Sequence, residues 1–166
     1  MPTYQNTILA GAALTTALMA GLFYAYSCSV NPGLHRLSDT AYLAAMQSIN
    51  RAILNPVFFV GFMGTAILLP LSTWVQYGQS VSSRFWFLLS ATIVYLVGVI
   101  GVTMLGNVPL NEALDTFNLQ TASPAEIATQ RTAFEMPWNR LNMLRTVASI
   151  LAIILVIFAC LNPKPD

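Results

Sequence analysis

The residues best suited to chemistry lie close together near the start of the last apolar segment. The chain has an indole at Trp138, carboxamides at Asn139 and Asn142 and a guanidinium at Arg145, all within the run PWNRLNMLRT. On an ideal helix, with about 100° between successive residues, these side chains fall on one stripe. Carboxamide and guanidinium groups donate hydrogen bonds, and donors fixed in a dry site stabilise a developing oxyanion. The spacing therefore predicts a donor-rich site beside an aromatic ring.

Arg145 lies about one or two helical turns inside an apolar segment, where a charged residue costs about 2.5–3.5 kcal/mol to insert into a membrane. One interpretation places its side chain inside the protein, bonded to the amide oxygens of Asn55, Asn107 or Asn111 or to carbonyls that end the third apolar segment. In the alternative, Arg145 extends to the lipid headgroups, the asparagines only cap helices, and Trp138 is an interfacial anchor. The sequence leaves both interpretations open.

The composition indicates a membrane protein that does not bind nucleic acid. Of the 166 residues, 56% are hydrophobic and only 8% are charged, whereas soluble domains carry roughly 25% charged residues. The net charge is +1, so there is no strongly basic surface to neutralise a phosphate backbone. Cys28 and Cys160 lack the spacing of metal ligands, and the sequence therefore predicts no metal site.

Four apolar segments are long enough to cross a hydrocarbon core of roughly 30 Å as helices. They occupy approximately residues 6–30, 54–75, 84–106 and 141–161. The first is too long for a signal peptide and continues into aromatic residues where a cleavage site would lie, so we expect it to remain as a span. The sequence thus predicts an all-α integral membrane bundle of four transmembrane helices, forming one domain over residues 1–166.

The two long connections, residues 31–53 and 107–140, each carry the signals of a short interfacial helix. Ser38 or Asp39 is a suitable N-cap for the first helix. The run SPAE predicts that the second begins at Pro124, with the preceding serine as its cap and Glu126 completing a capping box. Basic residues in these connections outnumber those at the opposite end, so the positive-inside rule predicts a multi-pass protein whose long connections are cytoplasmic.

Five stretches of the chain carry a resemblance to a known family. They read GLFYAYS, NPGL, AMQSINRAILNP, GNVPLN and PWNRLNMLRT. The chain resembles the small four-helix membrane proteins of the anthrone oxygenase-like family over almost its whole length. The resemblance implies four membrane helices and, as an activity, oxidation of an anthrone to an anthraquinone with dioxygen. The motif positions that match are Asn55, Asn107, Pro109, Asn111, Trp138, Asn139 and Arg145.

Such a reaction needs no bound metal in principle, because the enolate of an anthrone is electron-rich enough to reduce dioxygen directly. We therefore expect dioxygen as a co-substrate and no resident cofactor, with haem or flavin left open. Arg145 and Asn139 are the candidates for stabilising the enolate, and His35 is the candidate general base, with nearby carboxylates as alternatives. The candidates for substrate binding are Trp138, Asn142, Asn55, Asn107 and Asn111.

A non-enzymatic function also fits these residues. The polar end of four helices can bind a quinone, a lipid or another lipophilic metabolite without turnover, or the protein can be a subunit of a larger assembly. Under either function the expected partners are a lipophilic small molecule and membrane lipids, and a homo-oligomer stays open. The sequence offers no convincing proton acceptor, which is the feature that would favour catalysis.

Overall fold

The structure, a computed structural model, describes residues 4–77 and 82–162. These residues form helices and connecting turns, without strands. Four long helices are each long and apolar enough to cross a membrane: α1 (Tyr4–His35), α3 (Pro56–Tyr77), α4 (Ser83–Asp115) and α5 (Pro124–Leu161). A shorter helix, α2 (Asp39–Ala52), connects α1 to α3. The predicted all-α membrane fold is therefore confirmed, and the protein is a membrane protein.

Small side chains set the distances between the long helices. α1 contacts α3 and α5, and α4 contacts the same two helices. Where α4 crosses α5, a Cβ added at Gly98 would lie 2.5 Å from the Cβ of Ala148. Lipid tails are as apolar as leucine, so membrane helices associate through close packing and polar contacts rather than through burial of apolar surface. Large apolar residues such as Val57 and Leu105 accordingly stay on the outer surface.

The short helix α2 lies against α4 and α5 and brings its C-terminal end to the polar end of the fold. Tyr42 is buried against Phe134, with the guanidinium of Arg131 lying 4.6 Å from its ring centroid. Desolvation raises the pKa of the Tyr42 phenol above its usual range, so the ring remains neutral. Gln47 donates hydrogen bonds to the carbonyl oxygens of Leu114 and Phe117, at 2.8 and 2.9 Å. These contacts hold α2 in place beside the end of α4.

Two helices run beyond the predicted spans, because they continue through proline. α1 extends past Pro32 to His35, and α4 extends past Pro109 to Asp115 rather than ending near residue 106. In each helix a wide π-helical turn precedes the proline, at Tyr26–Val30 and Thr103–Asn107. A proline ring normally clashes with the carbonyl four residues earlier. The wider turn changes the position of that carbonyl, so the helix continues past the proline.

The second predicted interfacial helix also differs from the structure. A helix begins at Pro124 as predicted, and Ser123 and Glu126 form both bonds of the capping box. This helix does not stop before the membrane segment; it continues as α5 through Pro137 to Leu161. The first part of α5 packs against α2. One continuous helix therefore provides both the predicted surface helix and the fourth span.

Candidate functional site

The polar ends of α1, α4 and α5 enclose a cavity of about 100 Å³ beside the end of α2. We call it the inner cavity. Its polar lining is Asn50, Thr103, Asn107, Asn111, Asn142 and Arg145, and its aromatic lining is Phe23, Tyr26, Phe58 and Trp138. The structure thus brings together five of the eight residues that the sequence proposed for the site.

Arg145 lies inside the protein, which decides between the two interpretations of its position. Its side chain is buried, and Nη2 donates to Asn142 Oδ1 at 3.0 Å. Nη1 lies 3.5 Å from the hydroxyl oxygen of Thr103, and the guanidinium carbon lies 4.6 Å and 5.4 Å from the ring centroids of Phe23 and Trp138. The predicted acceptors at Asn55, Asn107 and Asn111 are not the ones used. Aromatic faces and one amide oxygen hold the cation instead.

No carboxylate in the described parts of the chain pairs with the charge of Arg145. The ion pairs among the described residues use Glu135, Asp115 and Asp39, and none of them involves Arg145. Its Nε is buried without a hydrogen-bond acceptor in the described parts of the chain. A buried charge is normally paired. The described residues that line the inner cavity therefore supply no anion to pair with this charge.

Two carboxamides that line the same cavity also have buried atoms without a hydrogen-bond partner among the described residues. Asn107 is 1% exposed, and neither its Nδ2 nor its Oδ1 has a partner among the residues that the structure describes. The Nδ2 of Asn50 is buried and unpaired as well, within the same limits. Each such group costs about 1–3 kcal/mol when left unsatisfied. Because both residues line the inner cavity, their amide groups face a space where an acceptor for each Nδ2 and a donor for Asn107 Oδ1 would complete their hydrogen bonds.

Trp138 and Asn142 hold Arg145 in position. Trp138 donates from Nε1 to Asn111 Oδ1 at 2.9 Å, and Phe134 stacks against its ring. Asn142 donates from Nδ2 to Ser27 Oγ at 2.9 Å while its Oδ1 accepts from Arg145. Since Phe134 and Arg145 lie against the ring of Trp138, little of that ring is free for a flat substrate to stack on.

The π-helical turns supply three of the residues that line the inner cavity. Tyr26 belongs to the turn in α1, and Thr103 and Asn107 belong to the turn in α4. π-Helical turns are rare and occur frequently at functional sites, since they redirect side chains at a cost in hydrogen-bond geometry. The presence of such turns on both sides of Arg145 supports a functional role for the cavity.

Three of the predicted site residues lie elsewhere. Asn55 caps α3, where its Oδ1 accepts from the Phe58 amide at 3.1 Å and its Nδ2 donates to the Ala52 carbonyl at 2.8 Å. His35 is exposed, with its Nδ1 2.7 Å from Glu135 Oε1. Asn139 lines the same outer surface as His35 and not the inner cavity. The structure therefore does not bring the proposed base to Arg145.

Sequence reasoning missed Phe23, Tyr26, Asn50 and Thr103 as lining residues. Phe23 and Tyr26 stand within GLFYAYS, and Asn50 stands within AMQSINRAILNP, two of the stretches that carry the family resemblance. Their position in those stretches could have identified them as candidate site residues. Thr103 had no comparable signal, because an isolated threonine in an apolar segment usually bonds to its own helix.

An outer groove of about 300 Å³ continues the inner cavity toward the surface between α2 and α4. The two spaces share the lining residues Asn50, Ile53, Leu54, Val108 and Asn111. At the edge of the outer groove, Arg51 Nε donates to Asp115 Oδ1 at 2.6 Å. The inner cavity therefore has an approach path with apolar walls and a charged rim.

One family model, described as anthrone oxygenase, matches residues 46–155. The match covers more than half of the chain. It includes the segments that carry Asn107, Trp138 and Arg145, while the lining residues of α1 lie before it. The search of curated proteins and the search of solved structures each found no match.

Proposed function

The chain belongs to the anthrone oxygenase family, and on that premise we propose that it binds an anthrone or a related flat, lipophilic phenol and oxidises it with dioxygen. The observation that carries this proposal is that the buried Nε of Arg145 and the carboxamide of Asn107 line one cavity and have no hydrogen-bond partner among the described residues. A hydrocarbon would leave both groups unsatisfied. The oxygen of an enolate or phenolate would accept hydrogen bonds from both and would supply the missing negative charge.

In the proposed reaction, the central CH₂ group of the anthrone loses a proton and the molecule becomes an enolate. Dioxygen takes electrons from the enolate and bonds to that carbon, and protonation gives a hydroperoxide. Loss of water from the hydroperoxide leaves a carbonyl, so one oxygen atom enters the quinone and the other leaves as water. This monooxygenase reaction requires no resident metal or organic cofactor, because the enolate supplies the electrons.

Arg145 and Asn107 have the principal role in this scheme. Their fixed donors stabilise the enolate oxygen in a dry site, where such an interaction is stronger than in water. A positive charge also favours the ionised form of a bound acid and so lowers the pKa of the substrate itself. The described residues that line the inner cavity include no carboxylate and no histidine, Arg145 is already a cation, and the Tyr26 phenol can only donate a proton. We therefore propose that the CH₂ proton passes to water at the mouth of the cavity, and that Tyr26, in place of His35, donates the proton that turns the peroxide anion into the hydroperoxide.

The dimensions of the two spaces support one orientation for the proposed substrate. A cavity of about 150 Å³ holds a single benzene ring, so the inner cavity, at about 100 Å³, is too small for a whole tricycle. The oxygenated part would enter the inner cavity beside Arg145. The remaining rings would occupy the outer groove against Leu54 and Val108. A lipophilic molecule can reach this groove from the membrane boundary.

Oxidation of an anthrone by purified protein is the direct test. The protein in detergent is mixed with an anthrone in air, and the absorbance of the quinone is followed against a blank without protein. The resting visible spectrum is recorded as well, because haem or flavin would appear there. Arg145→Met should lower turnover by about 10²-fold or more, since it removes the main electrostatic stabilisation while retaining bulk.

Arg84→Met is a matched control for this variant. Arg84 is also a buried arginine, 8% exposed against 7% for Arg145, but it lies at the other end of α4 and bonds Asn6 Oδ1 at 3.2 Å. Its replacement should leave turnover unchanged. If the wild type oxidises no anthrone or phenol but binds one, the protein is a binding protein for lipophilic metabolites. Equal turnover in Arg145→Met and the wild type would make Arg145 a structural residue.

The orientation in the membrane forms part of the same proposal. The long connections, at the end of the fold that holds the inner cavity, contain four arginines: Arg36, Arg51, Arg131 and Arg140. By the order of the spans in the sequence, Arg84 and Lys164 belong to the opposite side of the membrane. The positive-inside rule then places the outer groove on the cytoplasmic side. Substrate would enter from the cytoplasmic leaflet.

A further inference from the structure

A second concave surface runs along the seam between the end of α1 and α5. It has two lobes of about 510 Å³ and 460 Å³, which share His35, Asn139 and Met143. We call it the seam groove. The inner cavity has none of these three residues in its lining, so the seam groove is a separate site.

The seam groove has a surplus of positive charge. Arg140 lines one lobe and Arg36 lines the other. Neither guanidinium forms a hydrogen bond or an ion pair with the described residues. The carboxylate in the groove is already satisfied, because Glu135 accepts from Arg131 Nε at 2.7 Å and lies 2.7 Å from His35 Nδ1. Two uncommitted arginines therefore flank the shared floor of the groove and favour an anion there.

The carboxamide of Asn139 requires that a ligand of the seam groove also donates a hydrogen bond. Asn139 lines both lobes, and its Oδ1 is buried without a hydrogen-bond donor among the described residues. An inorganic anion without a hydroxyl group would satisfy the arginines and leave this acceptor unpaired. A phosphate ester that also carries a hydroxyl or an ammonium group would satisfy both.

An apolar stripe continues from the seam groove along α5. Met136 and Met143 are 55% and 51% exposed, and Val147 is 58% exposed. At about 100° per residue these three side chains lie on nearly one line along the helix. Polar groups beside an apolar stripe on a membrane helix match the headgroup and acyl chain of a lipid.

We propose that the seam groove binds one anionic phospholipid, with its phosphate between Arg36 and Arg140 and an acyl chain along Met143 and Val147. A hydroxyl of the headgroup would donate to Asn139 Oδ1. Phosphatidylglycerol has both features, a net negative charge and free hydroxyl groups. The site is independent of the proposed oxidation, since it shares no lining residue with the inner cavity.

Native mass spectrometry with defined lipids tests this proposal. Purified protein in detergent is mixed with equal amounts of phosphatidylglycerol and phosphatidylcholine, and the lipids retained on the intact protein are counted. The wild type should retain phosphatidylglycerol with about tenfold preference, because each arginine near an anionic headgroup contributes substantially. The double variant Arg36→Gln with Arg140→Gln should lose that preference, and each single variant should lose part of it.

Arg51→Gln is the matched control. It removes an arginine from the same polar end, but Arg51 lines the outer groove and pairs with Asp115. The preference for phosphatidylglycerol should survive in this variant. Equal retention of the two lipids by the wild type, or an unchanged preference in the double variant, would overturn the proposal. Displacement of the lipid by millimolar inorganic phosphate would show that the groove takes free phosphate rather than a headgroup, which also overturns it.

Discussion

Asn142 Oδ1 accepts a hydrogen bond from Arg145 Nη2 at 3.0 Å, one helical turn away on α5. The amide group of the same asparagine donates to Ser27 Oγ at 2.9 Å. α1 therefore fixes the carboxamide, and the carboxamide fixes the guanidinium. A neutral amide serves this purpose without cancelling the charge, so Arg145 remains able to attract an anion into the inner cavity.

Replacing Asn142 with Asp tests whether that neutrality matters. The new carboxylate would form a buried ion pair with Arg145 and compete with an anionic ligand for it. We expect folding to be retained, because Ser27 can donate to the carboxylate, while KM or Kd for the phenol rises about tenfold or more. Thermal unfolding and ligand titration in detergent measure the two effects separately. Unchanged affinity together with normal folding would show that the ligand does not pair with Arg145.

Replacing Asn107 with Leu should separate stability from function. The change removes two buried, unpaired polar atoms, so the ligand-free protein should gain about 1–3 kcal/mol in stability. Turnover should fall, because a donor to the substrate oxygen is lost. Thr65→Val is the control, since the Thr65 hydroxyl is buried but donates to the Gly61 carbonyl at 2.8 Å. That variant should be slightly less stable and equally active. Lower stability in Asn107→Leu would mean that Asn107 has a structural partner.

The sequence predicts the spans because the length of an apolar segment fixes how many helices can cross the membrane. For Arg145 the insertion cost of a charge excludes a position facing lipid, but it does not by itself decide between the protein interior and the lipid headgroups. Local hydrogen bonds likewise identify Ser123 as a helix cap. The continuation of α1 and α4 through Pro32 and Pro109 is not a local property. It depends on π-helical turns that neighbouring helices must stabilise.

The division of the polar stripe on α5 could not be predicted for a similar reason. Ser27 of α1 bonds Asn142 and Thr146, with its Oγ 2.8 Å from the Thr146 hydroxyl. These two residues lie in the middle of the stripe, at about 40° and 80° from Trp138. The contact with α1 therefore separates Arg145 and Trp138 on one side from Asn139 on the other. The angles along α5 predict that these side chains form one stripe. Only the contact with α1 determines which of them face the inner cavity and which face the surface on the other side.

Blocking the outer groove should slow entry of the substrate. Val108 lines both the inner cavity and the outer groove, so Val108→Trp would fill their junction. We expect KM for an anthrone to rise several-fold, with a smaller effect on the rate at saturation. Val97→Trp is the control, because Val97 lies on the same helix, is 67% exposed and is outside both linings. An equal KM in Val108→Trp and Val97→Trp would show that substrate reaches the cavity by another path.

Chemical labelling tests the proposed orientation. A Thr121→Cys substitution places a thiol in the exposed connection before α5, and Cys28→Ala and Cys160→Ala remove the natural cysteines. A charged maleimide that does not cross membranes should fail to label this protein in intact cells and should label it in inverted vesicles. This result is expected because the arginines at this end should remain in the cytoplasm. The control is the same protein without Thr121→Cys, which should stay unlabelled in both preparations. Labelling in intact cells would reverse the orientation and would make the outer groove accessible from the outside.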